Sequence, residues 1–274
     1  MIASKSCDRT GTVAIACAWH SCYCLNSMAD LFKGEQQKNV DFVFLQALKT
    51  TGVAVQQKVT LIYDIACQYS VHLQERISQH LPAGLIVDMA ISLFHVHTHK
   101  DECFFRFALT FIPSIGIVCG EILESLWSAL NTISSTVRTA LLSHRAEMLD
   151  DHASDSNHKK LLGIVLAICK SHTDASAMVT QTKQYFDDMT VSAGLAAQQW
   201  ESAISEAERR RLADVSAMDI YSTRTCADQT DRPMPSLDRA LNPVEKWIEY
   251  ALMVEVKQYV TSMHHDFLHH KLFH

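Results

Sequence analysis

The stretch Val59-Thr60-Leu61-Ile62-Tyr63-Asp64-Ile65-Ala66-Cys67-Gln68-Tyr69 joins an apolar run, a single carboxylate and the start of an amphipathic pattern. Its β-branched and aromatic residues predict a strand over residues 58–63, followed by a helix. A charge at the end of a buried strand is costly unless it is paired or bound to a cation. Asp64 is therefore the first candidate for a functional residue.

The hydrophobic pattern on either side of this stretch predicts two further strands and several helices. The strands are expected at residues 12–18 and 90–96, and amphipathic helices at residues 39–49 and 70–80. From Thr136 onward only helical patterns occur, and helices are expected at residues 137–150, 156–171, 174–189, 195–217 and 243–268. The sequence therefore predicts an α/β fold in which a strand-and-helix half precedes an all-helical half.

We accordingly divide the chain into four segments. They are a mixed strand-and-helix core at 1–135, a helical region at 136–222, a linker or loop at 223–240 and a C-terminal helix at 241–274. The third segment is rich in Thr, Asp, Arg and Pro, which is typical of a connection rather than a packed element.

The composition is that of a globular protein without an obvious nucleic-acid surface. Of the 274 residues, 48% are hydrophobic and 20% are charged, and the net charge is −6. An acidic chain does not favour phosphate binding, and its basic runs are short. We expect no secretory signal and no membrane segment, because no apolar run is long enough. The nine cysteines are scattered and are expected to be core thiols or metal ligands in a reducing compartment.

Two acids near residue 120 are candidates to join Asp64. Glu121 and Glu124 are one helical turn apart, so both can face the same side of a helix that opens after Gly120. The alternative for Glu121 is an ordinary acid that complements the helix dipole. The alternative for Asp64 is a cap on the helix that follows it.

A zinc site is suggested by a second set of residues. His95, His99 and Cys103 are four residues apart, which would place all three along one stripe of a helix. Cys17 and His20 have the spacing of a second half-site, and four ligands from the two groups would close a tetrahedral structural zinc site. The alternative is a helix start with buried polar groups and a free core cysteine.

Five short motifs occur in a fixed order along the first half of the chain. They are Cys17-Ala18-Trp19-His20, Asp30-Leu31-Phe32-Lys33-Gly34-Glu35, Tyr63-Asp64-Ile65-Ala66-Cys67-Gln68, Phe94-His95-Val96-His97-Thr98-His99 with Cys103, and Gly120-Glu121 with Glu124 and Trp127. The series resembles the Kyakuja–Dileera–Zisupton (KDZ) transposases, of the type that carries a CxC-like cysteine cluster ahead of the transposase region. The likeness covers about residues 11–165.

This resemblance implies a ribonuclease-H-like fold with the DDE chemistry of DNA cleavage and strand transfer. Such a site holds two divalent metal ions on three carboxylates, and oxygen ligands suit Mg²⁺ or Mn²⁺. Asp64 corresponds to the second acid and Glu121 to the last. Glu124 would lie beside these two acids and help to position them without binding the metal ions itself. The resemblance also implies DNA as a partner and the nucleus as the location.

The chain departs from this family at the first acid. That residue should lie on a strand upstream of Cys17, where Asp8 is the sole carboxylate. We therefore expect the C-terminal part of a transposase, truncated and catalytically impaired. The alternatives are a non-catalytic DNA- or protein-binding scaffold derived from a transposase, acting with a protein partner or as a homo-oligomer, and a pseudogene product without function.

Overall fold

The computed structural model of the protein describes residues 9–53, 58–113, 115, 118 and 120–221. The expected linker at 223–240 and C-terminal helix at 241–274 lie outside these residues. The strands are β1 (Gly11–Ala16), β2 (Tyr23–Leu31), β3 (Lys58–Ile62) and β4 (Ile86–Ala90). The helices are α1 (Gln37–Thr50), α2 (Ala66–Tyr69), α3 (Leu73–Ile77), α4 (Leu93–Val96), α5 (Asp101–Phe107), α6 (Ile122–Leu130), α7 (Ser134–Thr139), α8 (Leu142–Ala193) and α9 (Leu195–Arg210).

The chain divides into two compact units, one from Met1–Thr98 with Val118–Ile168 and the other from His99–Ile117 with Cys169–His274. The structure describes 9–53, 58–98, 118 and 120–168 of the first and 99–113, 115 and 169–221 of the second. All four strands belong to the first unit. The strands and the helices between them make the fold mixed α/β and mostly helical, as the sequence predicted at this level.

β1 and β2 form an antiparallel hairpin. β1 was predicted, but β2 was missed because its apolar residues do not alternate. The pairing register shifts between Ala14 and Ala16, and Asn26 adopts a positive φ of 56°. Ser27 is consequently buried in the strand, where its hydroxyl donates to the carbonyl oxygens of Ile15 and Cys24. This irregular strand hides the period-two pattern on which sequence prediction depends.

β3 and β4 pair in parallel, with Lys58 opposite Ile86 and Ile62 opposite Ala90. The strand predicted at 90–96 was placed too late in the chain, since Leu93–Val96 is a helix. The physical reason is Asp88, which makes residues 86–90 look unlike a strand. Its charge is paired with the Lys58 Nζ atom at 2.7 Å on the neighbouring strand.

Helix α1 packs against the hairpin through a buried apolar face that includes Val43 and Phe44. The same face carries the buried carboxylate of Asp41, which accepts hydrogen bonds from the Tyr69 hydroxyl at 2.6 Å and from Arg76 Nε at 2.9 Å. Because a buried charge must be paired, this network fixes α1 against the helical segment that follows β3.

The long helix α8 replaces the three separate helices that the hydrophobic pattern suggested over 137–189. It contains no proline, and Gly163 is its single glycine, so nothing in its interior stops the backbone ladder. Gly194, with φ of 55°, ends it. Within the described residues, no helix is long and apolar enough to cross a membrane.

Polar contacts attach the first part of α8 to the hairpin. Arg145 makes a two-pronged contact with Asp30 of β2, with Nη2 2.7 Å from Oδ1 and Nε 3.0 Å from Oδ2. The Asn157 side chain accepts from the Tyr23 backbone N–H at 2.8 Å and donates to the Tyr23 carbonyl at 2.9 Å. Tyr23 also contributes to an apolar cluster with Ala14 and Leu126, so the hairpin, α6 and α8 share one core.

The second unit is organised around aromatic residues. Phe104 and Phe105 of α5 both contact the ring of Phe111, which also lies 4.9 Å from the Tyr221 ring. The Tyr221 hydroxyl donates to Glu208 Oε1 of α9 at 2.8 Å, so this edge of the cluster is tied to α9 as well.

Candidate functional site

Asp64 lies two residues beyond the end of β3. The Tyr63 backbone N–H continues the pairing with the Ala90 carbonyl at 2.9 Å, and the Tyr63 hydroxyl donates to Glu35 Oε1 at 2.7 Å. Burial and this hydrogen bond raise the pKa of Tyr63. The Asp64 side chain itself is 53% exposed. It therefore faces solvent at the sheet edge, and the burial penalty that first singled it out does not apply.

Glu121 is positioned by Gly120. This glycine has φ of 80°, and a Cβ atom built on it would lie 2.9 Å from Ser92 Cβ and 3.2 Å from Ile62 Cγ2. The chain can therefore pass this close to the ends of β3 and β4 only with glycine at this position. Glu121 follows directly at the start of α6, beside the carboxyl ends of both parallel strands.

The Glu121 carboxylate is also held by a backbone group. Its Oε1 atom accepts a hydrogen bond from the Phe94 N–H at 3.1 Å. The other oxygen remains available to the site, and 21% of the side chain is exposed. Glu124 stands one turn further along α6, where 54% of its side chain is exposed.

His95 brings these acids together. Its Nε2 atom lies 3.8 Å from Asp64 Oδ2, 3.8 Å from Glu121 Oε2 and 3.6 Å from Glu124 Oε1. The Phe94 ring packs edge-on against the imidazole, with centroids 5.7 Å apart. The ligand atoms of His95, Glu121 and Glu124 all lie within 4.8 Å of one another, and Asp64 adjoins this group through its contact with His95. Carboxylate oxygens grouped in this way suit a hard divalent cation. The residues present therefore fit the metal that the resemblance implies.

Cys17 and His20 lie at the end of the hairpin, with Cys17 Sγ 3.3 Å from His20 Nδ1. Burial by itself raises the pKa of Cys17, but hydrogen bonds from His20 and the backbone outweigh it and the net pKa is lowered. The same contact raises the pKa of His20. Two donor atoms this close together are compatible with half of a zinc site.

His99 and Cys103 form a second close pair, with ligand atoms within 4.8 Å of each other. The single helical stripe expected for His95, His99 and Cys103 is not formed. α4 ends at Val96, and α5 begins at Asp101 after Lys100, whose ψ of 151° is extended. The structure places His95 with the acids instead. Zinc binding by these five residues stays a prediction.

The role of His95 beside the acids was missed by the sequence reasoning. A usable signal existed, because residues after neighbouring parallel strands meet at the same edge of a sheet. Had the strand been placed at 86–90, His95 and Asp64 would have been expected together. Asp8, the one carboxylate upstream of Cys17, lies outside the described residues.

Comparison with known proteins adds one finding. A family model described as Kyakuja-Dileera-Zisupton transposase matches residues 2–157, which include Asp64, His95, Glu121 and Glu124. No curated protein and no solved structure matches the chain.

Proposed function

Because the chain belongs to the Kyakuja-Dileera-Zisupton transposase family, we propose that its acid site serves DDE-type phosphodiester chemistry on DNA with Mg²⁺ or Mn²⁺. The observation that carries this proposal is the convergence of Asp64 and Glu121, whose oxygens both lie 3.8 Å from one His95 nitrogen. These acids are 57 positions apart in sequence, and the parallel pairing of β3 and β4 together with the close approach at Gly120 brings both beside the same imidazole.

The arrangement of the elements is compatible with a ribonuclease-H-like core. A hairpin comes first, a helix crosses over to a parallel strand pair, and the acids lie beside the carboxyl ends of that pair. In open sheets with helical crossovers, ligands bind at this edge. We take residues 1–135 as the transposase core and 136–222 as the helical region attached to it.

Each acid has a separate task in this proposal. With a divalent ion bound, such a site activates the attacking hydroxyl and neutralises charge on the leaving oxygen. Asp64 would supply an oxygen ligand from the sheet edge. Glu121 would supply another from α6, kept in orientation by the Phe94 N–H. Glu124 would reach the same point from the next turn.

We expect this chain by itself to be catalytically impaired. The family needs three acids, and only Asp64 and Glu121 have counterparts among the described residues. Losing one carboxylate weakens the binding of two metal ions and with it the stabilisation of charge in the transition state.

The test is cleavage of DNA fragments carrying transposon ends, measured under single-turnover conditions in Mn²⁺. Cleavage should be weak or absent, and any cleavage should disappear in Asp64→Asn and Glu121→Gln. Asp187→Asn, which alters an exposed acid paired with Lys183, is the matched control and should change nothing. Efficient cleavage lost in Asp64→Asn would contradict the impairment. Cleavage unaffected by Asp64→Asn would contradict the assignment of the site.

DNA is the partner and the nucleus the location that the family suggests. The net charge of −6 favours weak, salt-sensitive DNA binding over tight binding. A basic groove beside Asp64 would be needed for stronger affinity.

A non-catalytic scaffold that self-associates is the second candidate function. The observation that favours it is a stretch of α8 that is apolar on all sides while its outer face is open to solvent. Exposure there is 64% for Leu161, 74% for Leu162, 60% for Val165 and 77% for Leu166. A helix that is apolar all round is normally covered. The occupant that this uncharged surface fits is the same surface of a second copy of the chain.

Sedimentation velocity checks this second candidate. The wild-type chain should sediment as a concentration-dependent dimer, and Leu162→Glu with Leu166→Glu should convert it to monomer. Val191→Glu, at an exposed apolar position elsewhere on α8, is the control. A wild-type monomer at all concentrations would exclude self-association as the role of this surface.

A further inference from the structure

The imidazole of His95 is a common neighbour of three acids. Its Nε2 atom lies 3.6 to 3.8 Å from one oxygen each of Asp64, Glu121 and Glu124. We propose that His95 is itself a metal ligand, and that it completes with these acids a mixed nitrogen–oxygen site for a divalent transition-metal ion in preference to Mg²⁺. The site is the one to which the DNA chemistry was assigned above. The role of His95 as a ligand does not depend on that assignment, but the use of the bound metal in DNA cleavage does.

The spacing of the donor atoms fits a metal site. In a tetrahedral site with bonds of about 2.1 Å, neighbouring ligand atoms are about 3.4 Å apart. The three His95 distances exceed that value only slightly. The ligand atoms of His95, Glu121 and Glu124 also all lie within 4.8 Å of one another. Small side-chain rotations would therefore bring His95, Glu121 and Glu124 around one ion, and Asp64, 3.8 Å from the His95 nitrogen, would have to turn towards it to complete the set.

The charges point to a dication at the same place. Three carboxylates meet around one imidazole, and like charges at this separation repel unless a cation lies between them. A single imidazolium would offset one of the three charges. A dication bound by the imidazole nitrogen and the three oxygens would offset two, which leaves one net negative charge.

His95 is held where it can act as a ligand. The helix that carries it is anchored by Val96, which is buried, and by the Phe94 N–H bond to Glu121. The Phe94 ring lies edge-on to the imidazole, with centroids 5.7 Å apart. His95 remains 33% exposed, so an ion can enter from solvent. Ligands fixed by their supports before the metal arrives lose less conformational entropy on binding.

The chemical class of the ion follows from the donor set. Imidazole suits zinc, copper, iron and nickel ions, whereas Mg²⁺ prefers an octahedron of oxygen atoms and gives up its water reluctantly. A site with one nitrogen and three carboxylates should therefore select a transition metal. Mn²⁺ is the useful probe, because carboxylates bind it well and the thiolates of this cysteine-containing chain bind it poorly.

The test uses the full chain with one equivalent of Mn²⁺, observed by electron spin-echo envelope modulation. The wild type should show modulation from a directly coordinated ¹⁴N nucleus. His95→Ala should lose this signal and bind Mn²⁺ at least about tenfold more weakly. His72→Ala is the control, because His72 makes an exposed contact of 3.0 Å with Glu75 and should leave both readouts unchanged. His95→Gln retains bulk and hydrogen bonding and should also lose the nitrogen signal.

A competition experiment tests the preference. Displacing half of the bound Mn²⁺ from the wild type should need roughly a hundredfold excess of Mg²⁺, and His95→Gln should need markedly less. If the same excess of Mg²⁺ displaced half of the Mn²⁺ from both proteins, the proposed preference of the His95 site for a transition metal over Mg²⁺ would be wrong.

The failure of this inference can be told apart from failure of the proposed function. Mn²⁺ binding without a nitrogen signal, a signal that persists in His95→Ala, or no Mn²⁺ binding overturns the ligand role of His95. Asp64-dependent DNA cleavage in Mg²⁺ would leave the proposed function standing in each case. Conversely, a His95-dependent nitrogen signal in a chain whose DNA cleavage ignores Asp64 supports the metal site and removes the proposed function.

Discussion

Gly120 shows how one residue without a side chain fixes the position of a functional acid. Its Cα lies against Ser92 and Ile62, at the ends of the two parallel strands, with φ of 80°. Any side chain here meets both a steric and a conformational penalty, since L residues rarely adopt this φ. Glu121 is the next residue, so any backbone displacement at Gly120 would also move the Glu121 carboxylate.

Substituting Gly120→Ala should therefore damage both stability and metal binding. The new Cβ would lie 2.9 Å from Ser92 Cβ, and relieving that overlap together with the backbone strain should cost about 3 kcal/mol of unfolding free energy. Urea denaturation measures this loss, and Mn²⁺ titration of the folded variant measures the displacement of Glu121.

Gly163→Ala is the matched control. No atom lies within 4 Å of the position that its Cβ would take, and the residue is inside α8, so alanine should stabilise the protein by about 1 kcal/mol. Equal stability changes in the two variants would mean that the close contacts of Gly120 with Ser92 and Ile62 do not determine the cost of adding a side chain.

The hairpin and the long helix are joined by polar contacts that neither could form alone. Arg145 and Asp30 are 13% and 22% exposed, so their two-pronged pair is shielded from water. Arg145 Nη2 also donates to the Thr12 hydroxyl at 3.0 Å, which extends the connection to β1. These contacts keep the first part of α8, which carries Arg145, alongside the hairpin.

Arg145→Ala should lower the unfolding free energy by about 3 kcal/mol, because it leaves the shielded Asp30 charge with the more distant Arg9, at 3.5 Å, and a long hydrogen bond of 3.4 Å from the Thr12 hydroxyl. The measurement is urea denaturation followed by circular dichroism. Lys183→Ala removes an exposed pair on the same helix and should cost at most about 0.5 kcal/mol. A loss of similar size in both variants would show that the Arg145 pair is no stronger than a surface pair.

The Asn157 side chain makes the two hydrogen bonds that a paired strand would make to Tyr23, because it accepts from the backbone N–H and donates to the backbone carbonyl. Asn157→Asp keeps the acceptor for the Tyr23 N–H but loses the donor to its carbonyl. We expect the Tyr23 amide to stay protected from hydrogen exchange in Asn157→Asp and to lose about tenfold protection in Asn157→Ala. Unchanged protection in Asn157→Ala would contradict a role for Asn157 in completing the strand edge.

The molecule as a whole should become less stable at alkaline pH because several tyrosines are protected from ionising. Burial raises the pKa of Tyr23, Tyr63 and Tyr69, and for the last two a hydrogen bond to a carboxylate adds to the effect. The unfolded chain releases these protons at about pH 10. Above that pH the folded state binds more protons than the unfolded state, so the unfolding free energy falls as pH rises.

The checks are urea midpoints between pH 8 and 11 and tyrosinate absorbance. Tyr69→Phe removes one of the three groups and should show a shallower decline above pH 10. Tyr185 is 67% exposed, so the unfolding free energy of Tyr185→Phe should fall with pH as steeply as that of the wild type. Identical slopes in the wild type and Tyr69→Phe would contradict a raised pKa for Tyr69 in the folded state.

Sequence reasoning succeeded where the pattern is local. The period of apolar residues found α1 and α6, and the run that ends at Ile62 found β3. It failed at β2, whose bulged register hides the alternation, and at β4, whose Asp88 is neutralised by a partner on another strand. It also divided α8 into three helices, because a change in polarity along a surface helix resembles a break although no breaking residue is present.

The order of the motifs around Cys17, Asp64, His95 and Glu121 was enough to indicate the KDZ family, and the family match confirms it. The order and spacing of motifs reflect common ancestry, and both can be read from the sequence without coordinates. What His95 contacts was a different matter. The sequence grouped it with His99 and Cys103 by spacing, and only the parallel pairing of β3 and β4 with the close approach at Gly120 puts it among the acids. Spacing describes one helix, whereas a site at a sheet edge is assembled from segments that meet only after folding.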